Sequence, residues 1–373
     1  MRDIVYSEKE RAWLWLNRVI GANVQMAEAL LKLGSPVELR ARAINGEPIS
    51  FPEGMSPDDG ELLLSSAGDD SIDRYIEWLT AKGIYAVTRD SEDYPDLLRE
   101  IFDPPTVLYV IGRLQRQAAL PIAVIGSRKC SDYGIEMAEH FGLELAKHGA
   151  CVVSGLAVGC DAAASRGALS VKTSDYPTVA VLGSGVNVIY PAKNKKLYEA
   201  ISERGAVISE FLPNMHPNKF SFPQRNRIIS GLSRGVLVVE AGASSGTSIT
   251  VDFALEHGRD VFAVPGRITD PMSRGTNNLI KRGEAKAVFD IEDILSEYGV
   301  EVMSNAASPI KLVDTAKLSP RQALLYNTLL IGEKNIDELC QTTGFTVSEL
   351  NILLTEMELS GIIKQLPNKL YSI

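Results

Sequence analysis

The sequence predicts an α/β fold: a doubly wound, Rossmann-like parallel sheet core with a small all-α N-terminal module and a C-terminal winged helix. Three observations carry that prediction. From about residue 83 to 300, short apolar runs alternate with helical stretches, the βαβα order of an open sheet with helices on both faces. Most of these runs are continuously apolar, the mark of strands covered on both faces. After residue 318 the order becomes helix, helix, helix, hairpin, as in a winged helix-turn-helix.

The elements follow in order. Residues 1–82 read as a helical module, similar to SAM or helix-hairpin-helix units. Trp13, Leu14, Leu16 and Ile20 recur at helical spacing over Ala12–Ile20, and Gly21 stops the helix. Further helices are expected over Asn23–Leu33, Val37–Ile44 and Ile72–Lys82, with turn-rich sequence (Pro52, Gly54, Pro57, Gly60) before the last. In the core, residues 83–300, strands are expected at Tyr85–Thr88, Val107–Ile111, Ile122–Gly126, Cys151–Ser154, Thr178–Leu182, Ala206–Ser209, Val236–Glu240 and Val261–Val264. Helices are expected over Tyr133–His148, Lys195–Glu203 and Ser248–His257. A linker over 301–318 leads to the winged helix, 319–373. There Ser319-Pro320 starts a helix, the cap preceding proline at the first helical position. Helices over Asn335–Thr342 and Thr346–Ser360 follow, then a hairpin over Ile362–Ile373 turning at Pro367-Asn368.

Composition narrows the function. Acidic residues outnumber basic ones, 47 to 38, for a net charge of −9. Nucleic-acid binders usually show a basic domain, so any such role here has to rest on local charge. No apolar run approaches the ~18 residues of a membrane span. Met1 to Trp13 carries Arg2, Asp3, Glu8, Lys9, Glu10 and Arg11, unlike a signal peptide. A cytoplasmic protein without membrane contact is expected. Neither the four cysteines nor the four histidines fall at metal-ligand spacing, so neither metal nor other cofactor is expected.

Glycine and small polar residues cluster where strands give way to helices. Gly126-Ser127-Arg128 follows one strand, and Ser154-Gly155-Leu156-Ala157-Val158-Gly159 follows the next. Gly183-Ser184-Gly185, Ser244-Ser245-Gly246-Thr247 and Pro265-Gly266 follow three more. Five loops at carboxyl ends of parallel strands should share one rim, where doubly wound sheets bind ligands. Taken singly, each glycine is explained by a tight turn. The cations beside them are not: Arg128 and Lys129, then Lys193, Lys195 and Lys196 after Tyr190-Pro191, then Lys219, Arg225, Arg227 and Arg234 around Phe220-Ser221-Phe222. Cations for phosphates, with aromatic rings for bases, are what single-stranded nucleic acid requires. Chemistry is poorly represented: there is no G-x-G-x-x-G after the first strands, no Walker lysine loop and no G-x-S-x-G elbow. His148 and His257 precede glycine near helix ends, as capping residues do. Asp161 is expected to cap its helix and Glu240 to orient neighbouring loops; no catalytic residue is expected.

In these residues the chain resembles the DNA-processing protein A (DprA, also Smf) family. The resemblance rests on Gly126-Ser127-Arg128, Ser154-Gly155-Leu156-Ala157, Gly159-Cys160-Asp161-Ala162-Ala163, Ser245-Gly246-Thr247, Gly275-Thr276-Asn277, and the long string Phe222-Pro223-Gln224-Arg225-Asn226-Arg227-Ile228-Ile229-Ser230-Gly231-Leu232-Ser233. It implies a protein that binds and protects single-stranded DNA during natural transformation, loads RecA recombinase onto it, and forms a homodimer through the core. Carried onto this chain, it implies that Arg128 grips phosphate and that Tyr190, Lys193, Asn194 and Lys195 form a basic loop. Arg225, Asn226 and Arg227 fall in the string, either touching DNA or holding the loops. Gly126, Ser127, Ser154, Gly155, Gly159, Gly183, Lys219, Phe222, Ser245, Gly246 and Thr247 complete the expected interface. The chain departs from the family pattern at Val158, Ser165 and Ala241.

Two other functions have related folds. Nucleotide phosphoribohydrolases of the lysine-decarboxylase-like type have a related sheet and a catalytic glutamate after their glycine loop. Here Gly246-Thr247-Ser248-Ile249 is followed by Thr250. A ligand-sensing regulator would need the winged helix to bind duplex DNA. Its recognition helix carries Glu349, Glu356 and Glu358 and no Lys or Arg, which a phosphate backbone repels. That domain is therefore expected to contact protein.

Overall fold

The computed structural model describes residues 5–243, 245–300, 318–330, 332–360, 362–366 and 370–372. The chain divides into two compact units, Met1–Val302 and Met303–Ile373. The expected linker lies, apart from Leu318, outside the described residues, as does the hairpin turn at Pro367-Asn368.

The first unit opens with five helices, Glu8–Ile20, Val24–Leu31, Pro36–Ile44, Pro57–Ser65 and Asp69–Ala81. Pro57–Ser65 occupies sequence that reads as turns. Its proline is the first helical residue and Ser56 caps it, accepting from the Asp59 N–H at 3.1 Å, so proline starts this helix rather than breaking it. The module shares a core with the sheet: Trp13, Leu14, Leu30 and Leu63 cluster with Val107, Tyr109, Leu156 and Leu182.

Nine strands follow: β1 Tyr85–Thr88, β2 Val107–Gly112, β3 Pro121–Ile125, β4 Cys151–Ser154, β5 Thr178–Val181, β6 Ala206–Ser209, β7 Gly235–Val238, β8 Asp260–Ala263 and β9 Lys286–Ala287. They form one sheet in the order β1-β2-β6-β5-β4-β3-β7-β8-β9. β3 to β9 run parallel, β2 runs against them beside β6, and β1, antiparallel to β2, closes that edge in the direction of the rest. The apolar run of β2 thus reports burial on both faces rather than direction. Val107 and Tyr109 face the helical module, while Leu108 and Val110 join the opposite core. The open edge of β1 is capped, with the Ala86 and Thr88 N–H groups donating to Tyr6 Oη (2.8 Å) and Ser91 Oγ (3.0 Å). That blocks pairing with another strand. No described helix is long and apolar enough to cross a membrane.

A buried polar chain fixes the module on the sheet. Tyr75 donates to Tyr109 Oη (3.0 Å), Tyr109 to Asn17 Oδ1 (2.7 Å), and Asn17 Nδ2 to the Gly21 carbonyl (2.9 Å) and Thr106 Oγ1 (3.2 Å). Asn17→Ala removes the acceptor of a fully buried phenol. Such a loss is expected to destabilise by about 1–3 kcal/mol, read as a lower urea midpoint at unchanged m-value.

The second unit holds helices Pro320–Leu330, Ile336–Thr343 and Val347–Leu359 and the hairpin β10 Lys364–Leu366 with β11 Leu370–Ser372. Leu325, Leu329, Leu339, Leu350, Leu354 and Met357 make its own core.

Candidate nucleic-acid interface

Successive strands run one way from β3 through β4 and β5 to β6, then the other way from β3 through β7 to β8. The switch point lies between β3 and β7, and ligands of doubly wound sheets bind just beyond it. A cleft of ≈ 760 Å³ opens there. Gly126, Ser127, Arg128 and Lys129 line it from the end of β3, and Ala157 and Asp161 from beyond β4. Gly242, Ser245, Gly246 and Thr247 line it from beyond β7, and Lys219, Phe222, Arg225 and Asn226 from the helix Ser221–Gly231 and its approach.

Two buried charges form its floor. Arg225 donates to the Gly155 carbonyl (2.8 Å), the Val181 carbonyl and Asn226 Oδ1 (3.1 Å). Burial pushes its pKa down to about 10, and Asp161 partly offsets this. Asp161 accepts from the Gly155 (3.1 Å) and Ala157 (3.4 Å) N–H groups. Burial raises its carboxyl above the usual range, with Arg225 acting against the rise. Asp161 does not cap its helix: Gly159 is the cap, and the carboxylate instead ties down the loop after β4. Glu240 does orient a neighbouring loop, accepting from the Ser131 N–H (2.8 Å) and hydroxyl (2.6 Å).

Above the floor lies an aromatic and cationic run. The Tyr190 and Phe222 rings are 5.6 Å apart, the Arg128 guanidinium lies 5.2 Å above Phe222, and Lys219 Nζ lies 4.9 Å from the Phe220 ring. Tyr190 is 49% and Phe220 71% exposed, so both rings can be reached from solvent. Among the described residues Arg128, Lys193, Lys196 and Lys219 form no ion pair, and Lys195 meets Glu199 only at 3.9 Å.

The other expected residues support this surface. Ser154 is buried with its hydroxyl donating to the Asp161 carbonyl (3.3 Å), and Asn194 is buried with Nδ2 donating to the Leu156 carbonyl (2.9 Å). Lys193 and Lys195 stand exposed beside it. Gly159 has φ +83°, and a Cβ there would lie 2.3 Å from the Ser127 carbonyl oxygen, so the two loops touch only because it is glycine. Gly155 and Gly183 make room in the same way for Arg225 and Phe222. Gly246 has open space around it. Not all five loops line the cleft. The Gly266 loop is closed by Asn277, which accepts from the Gly266 N–H (3.2 Å) and donates to its carbonyl (3.0 Å). Arg227 leaves the rim altogether. It is 2% exposed and pairs with Glu210 (2.7 Å) and Asp103 (2.8 Å). The sequence reading missed Met272, brought to the cleft by a short 3-10 turn after β8 whose only signal is the cap Asp270 before Pro271.

The chain is similar to known proteins in sequence and in fold. Residues 85–299 match the family model of DNA recombination-mediator protein A, and residues 314–369 match the DprA winged helix domain. Protein Smf of Escherichia coli (strain K12) is 39% identical over 307 residues, covering 80% of this chain and 79% of its own. The DNA processing protein DprA of Streptococcus pneumoniae (strain R6) is 45% identical over 207 residues, covering 55% and 71%. The X-ray structure of DNA processing protein A from Streptococcus pneumoniae superposes with TM-score 0.65 at 34% identity, covering 80% of this chain and all of that one. A structure of DNA processing protein A from Helicobacter pylori, described with its single-stranded DNA binding mode, gives TM-score 0.51 at 29% identity over 58% of this chain and 95% of that one.

Proposed function

The chain belongs to the DNA recombination-mediator protein A (DprA/Smf) family, and from that premise we propose that it binds and protects single-stranded DNA along the cleft at the β3/β7 switch point. The observation that carries the proposal is the joint placement of exposed rings and unpaired cations on one rim. Arg128, Lys219 and the Lys193–Lys196 loop supply charge to phosphates, while Tyr190, Phe222 and Phe220 supply faces on which bases stack. Sequence preference is slight, because every base has a face to stack. With a net charge of −9 over the whole chain, binding has to rest on local cations such as these.

Tyr190→Ala tests the stacking half. A base–aromatic contact contributes about 1–3 kcal/mol, so single-strand affinity is expected to drop roughly tenfold, read by fluorescence anisotropy. Unchanged affinity removes Tyr190 from the interface. On the same footing the protein is a cytoplasmic homodimer that hands the strand to RecA. Faster RecA nucleation on strand coated with single-strand-binding protein checks the handover. Release of base from nucleoside monophosphates would move the hydrolase reading forward instead.

A further inference from the structure

The winged helix carries an exposed surface of its own. Its third helix, Val347–Leu359, buries Leu350, Leu354 and Met357 against the rest of the domain. On the opposite face Ser348, Ile352, Thr355 and Leu359 follow at i, i+4, i+7 and i+11, which places them in one stripe about 16 Å long. Ile352 is 61% and Leu359 85% exposed. Glu356 borders the stripe on one side and Glu358 on the other, both exposed. Glu349 is committed elsewhere, closing the helix cap on Thr346 and meeting Arg321 at 3.1 Å.

In a winged helix this element is the one that enters a DNA groove. Here it has no cation for phosphate, and residues 319–373 hold six acidic side chains against four basic ones. Large apolar side chains left in water beside like charges are the pattern of a protein-binding face. Charge complementarity fixes the sign of the partner.

We propose that this face docks a basic amphipathic helix of a partner protein. Apolar side chains spaced i, i+3 or i+4, and i+7 on the partner seat along Ile352, Thr355 and Leu359, and Lys or Arg on both flanks of its stripe meet Glu356 and Glu358. The packing is that of one helix laid along another. It goes beyond strand binding at the cleft and does not depend on it.

The test uses the full chain and a fluorescein-labelled synthetic peptide of about 18 residues, five turns of helix, made of Leu and Lys with Leu at those spacings. A scrambled peptide of equal composition and an ordered Leu/Glu peptide are the controls. The ordered basic peptide is expected to bind at least about tenfold more tightly than its scrambled form, and Ile352→Ser/Leu359→Ser to remove that margin. Glu356→Lys/Glu358→Lys is expected to transfer the preference to the Leu/Glu peptide. Both variants change only exposed side chains, and unchanged far-ultraviolet circular dichroism and single-strand binding show that the fold and the cleft survive. Equal binding of ordered and scrambled peptides overturns the proposal, as does ordered-peptide binding unaffected by either variant. Duplex DNA binding that disappears in Ile352→Ser/Leu359→Ser assigns the face to DNA and overturns it too.

Discussion

Arg128→Glu is expected to weaken single-strand binding about 100-fold at low salt while leaving the thermal midpoint unchanged. A charge-assisted hydrogen bond to phosphate contributes about 1.5–3 kcal/mol, and the introduced carboxylate adds repulsion. Arg128 lines the cleft, stands over the Phe222 ring and makes no ion pair among the described residues. Its reversal is therefore expected to remove a phosphate contact while costing the fold only the contact with the exposed side of the Phe222 ring. The Asp161 carboxylate already lies in the cleft lining, so a second acid at residue 128 opposes a phosphate further. Titration by anisotropy beside a melting curve separates the two effects. A lowered midpoint with proportionate binding loss would mean that Arg128 holds the loop instead.

Arg227→Ala is expected to show the reverse: loss of stability first, and loss of binding only through it. The guanidinium is 2% exposed, and Glu210, its bidentate partner at 2.8 and 2.7 Å, is 1% exposed. Burial alone would lower the arginine pKa, but Glu210 and Asp103 raise it, while burial raises the Glu210 carboxyl against the pull of Arg227. Removing the cation strands a buried carboxylate, which destabilises by about 3–5 kcal/mol. In a unit of this size the thermal midpoint should fall by roughly 10 °C. Below that midpoint the folded fraction should bind single strand nearly as wild type does. The partner variant Glu210→Gln should lose stability in the same direction, since it leaves Arg227 short of a counter-charge. Arg227→Ala that melts as wild type but fails to bind would place this residue on the DNA after all.

Arg225 and Arg227 show where sequence was informative and where it was not. Both stand in or beside glycine loops with aromatic neighbours, and composition treats them alike. The difference lies in the helix Ser221–Gly231: Arg225 and Arg227 are two residues apart, so they leave the helix about 200° apart. One turns under the rim toward Gly155 and the other toward Glu210 on the far side of the helix. No local pattern reveals a carboxylate distant in sequence. Strand positions were legible because continuous apolar runs need burial on both faces, and all eight expected strands are present within a residue or two. The ninth strand, Lys286–Ala287, is two residues long with a charged member, too short for any periodicity. Direction was not legible for β2, since a covering helical module makes an antiparallel strand as apolar as a parallel one. The glycines were legible as a rim but not in their reason: Gly155, Gly159 and Gly183 are required by close packing beneath the surface rather than by an anion above it. In the winged helix the acidic recognition helix was plain from sequence, but its apolar stripe appears only once Leu350, Leu354 and Met357 are seen to be buried.

The most direct measurement is the salt dependence of binding for a labelled 20-nucleotide-scale single strand and its matching duplex, on wild type and Arg128→Glu. Each phosphate contact to a single strand contributes about 0.7 to the slope of log affinity against log salt. The cations free at the rim predict single-strand binding with a slope of roughly −2 to −4, a shallower slope in Arg128→Glu, and much weaker binding of the duplex. Single-strand binding that is absent at low salt, or equal for strand and duplex and indifferent to Arg128→Glu, would contradict a single-strand site at the β3/β7 rim.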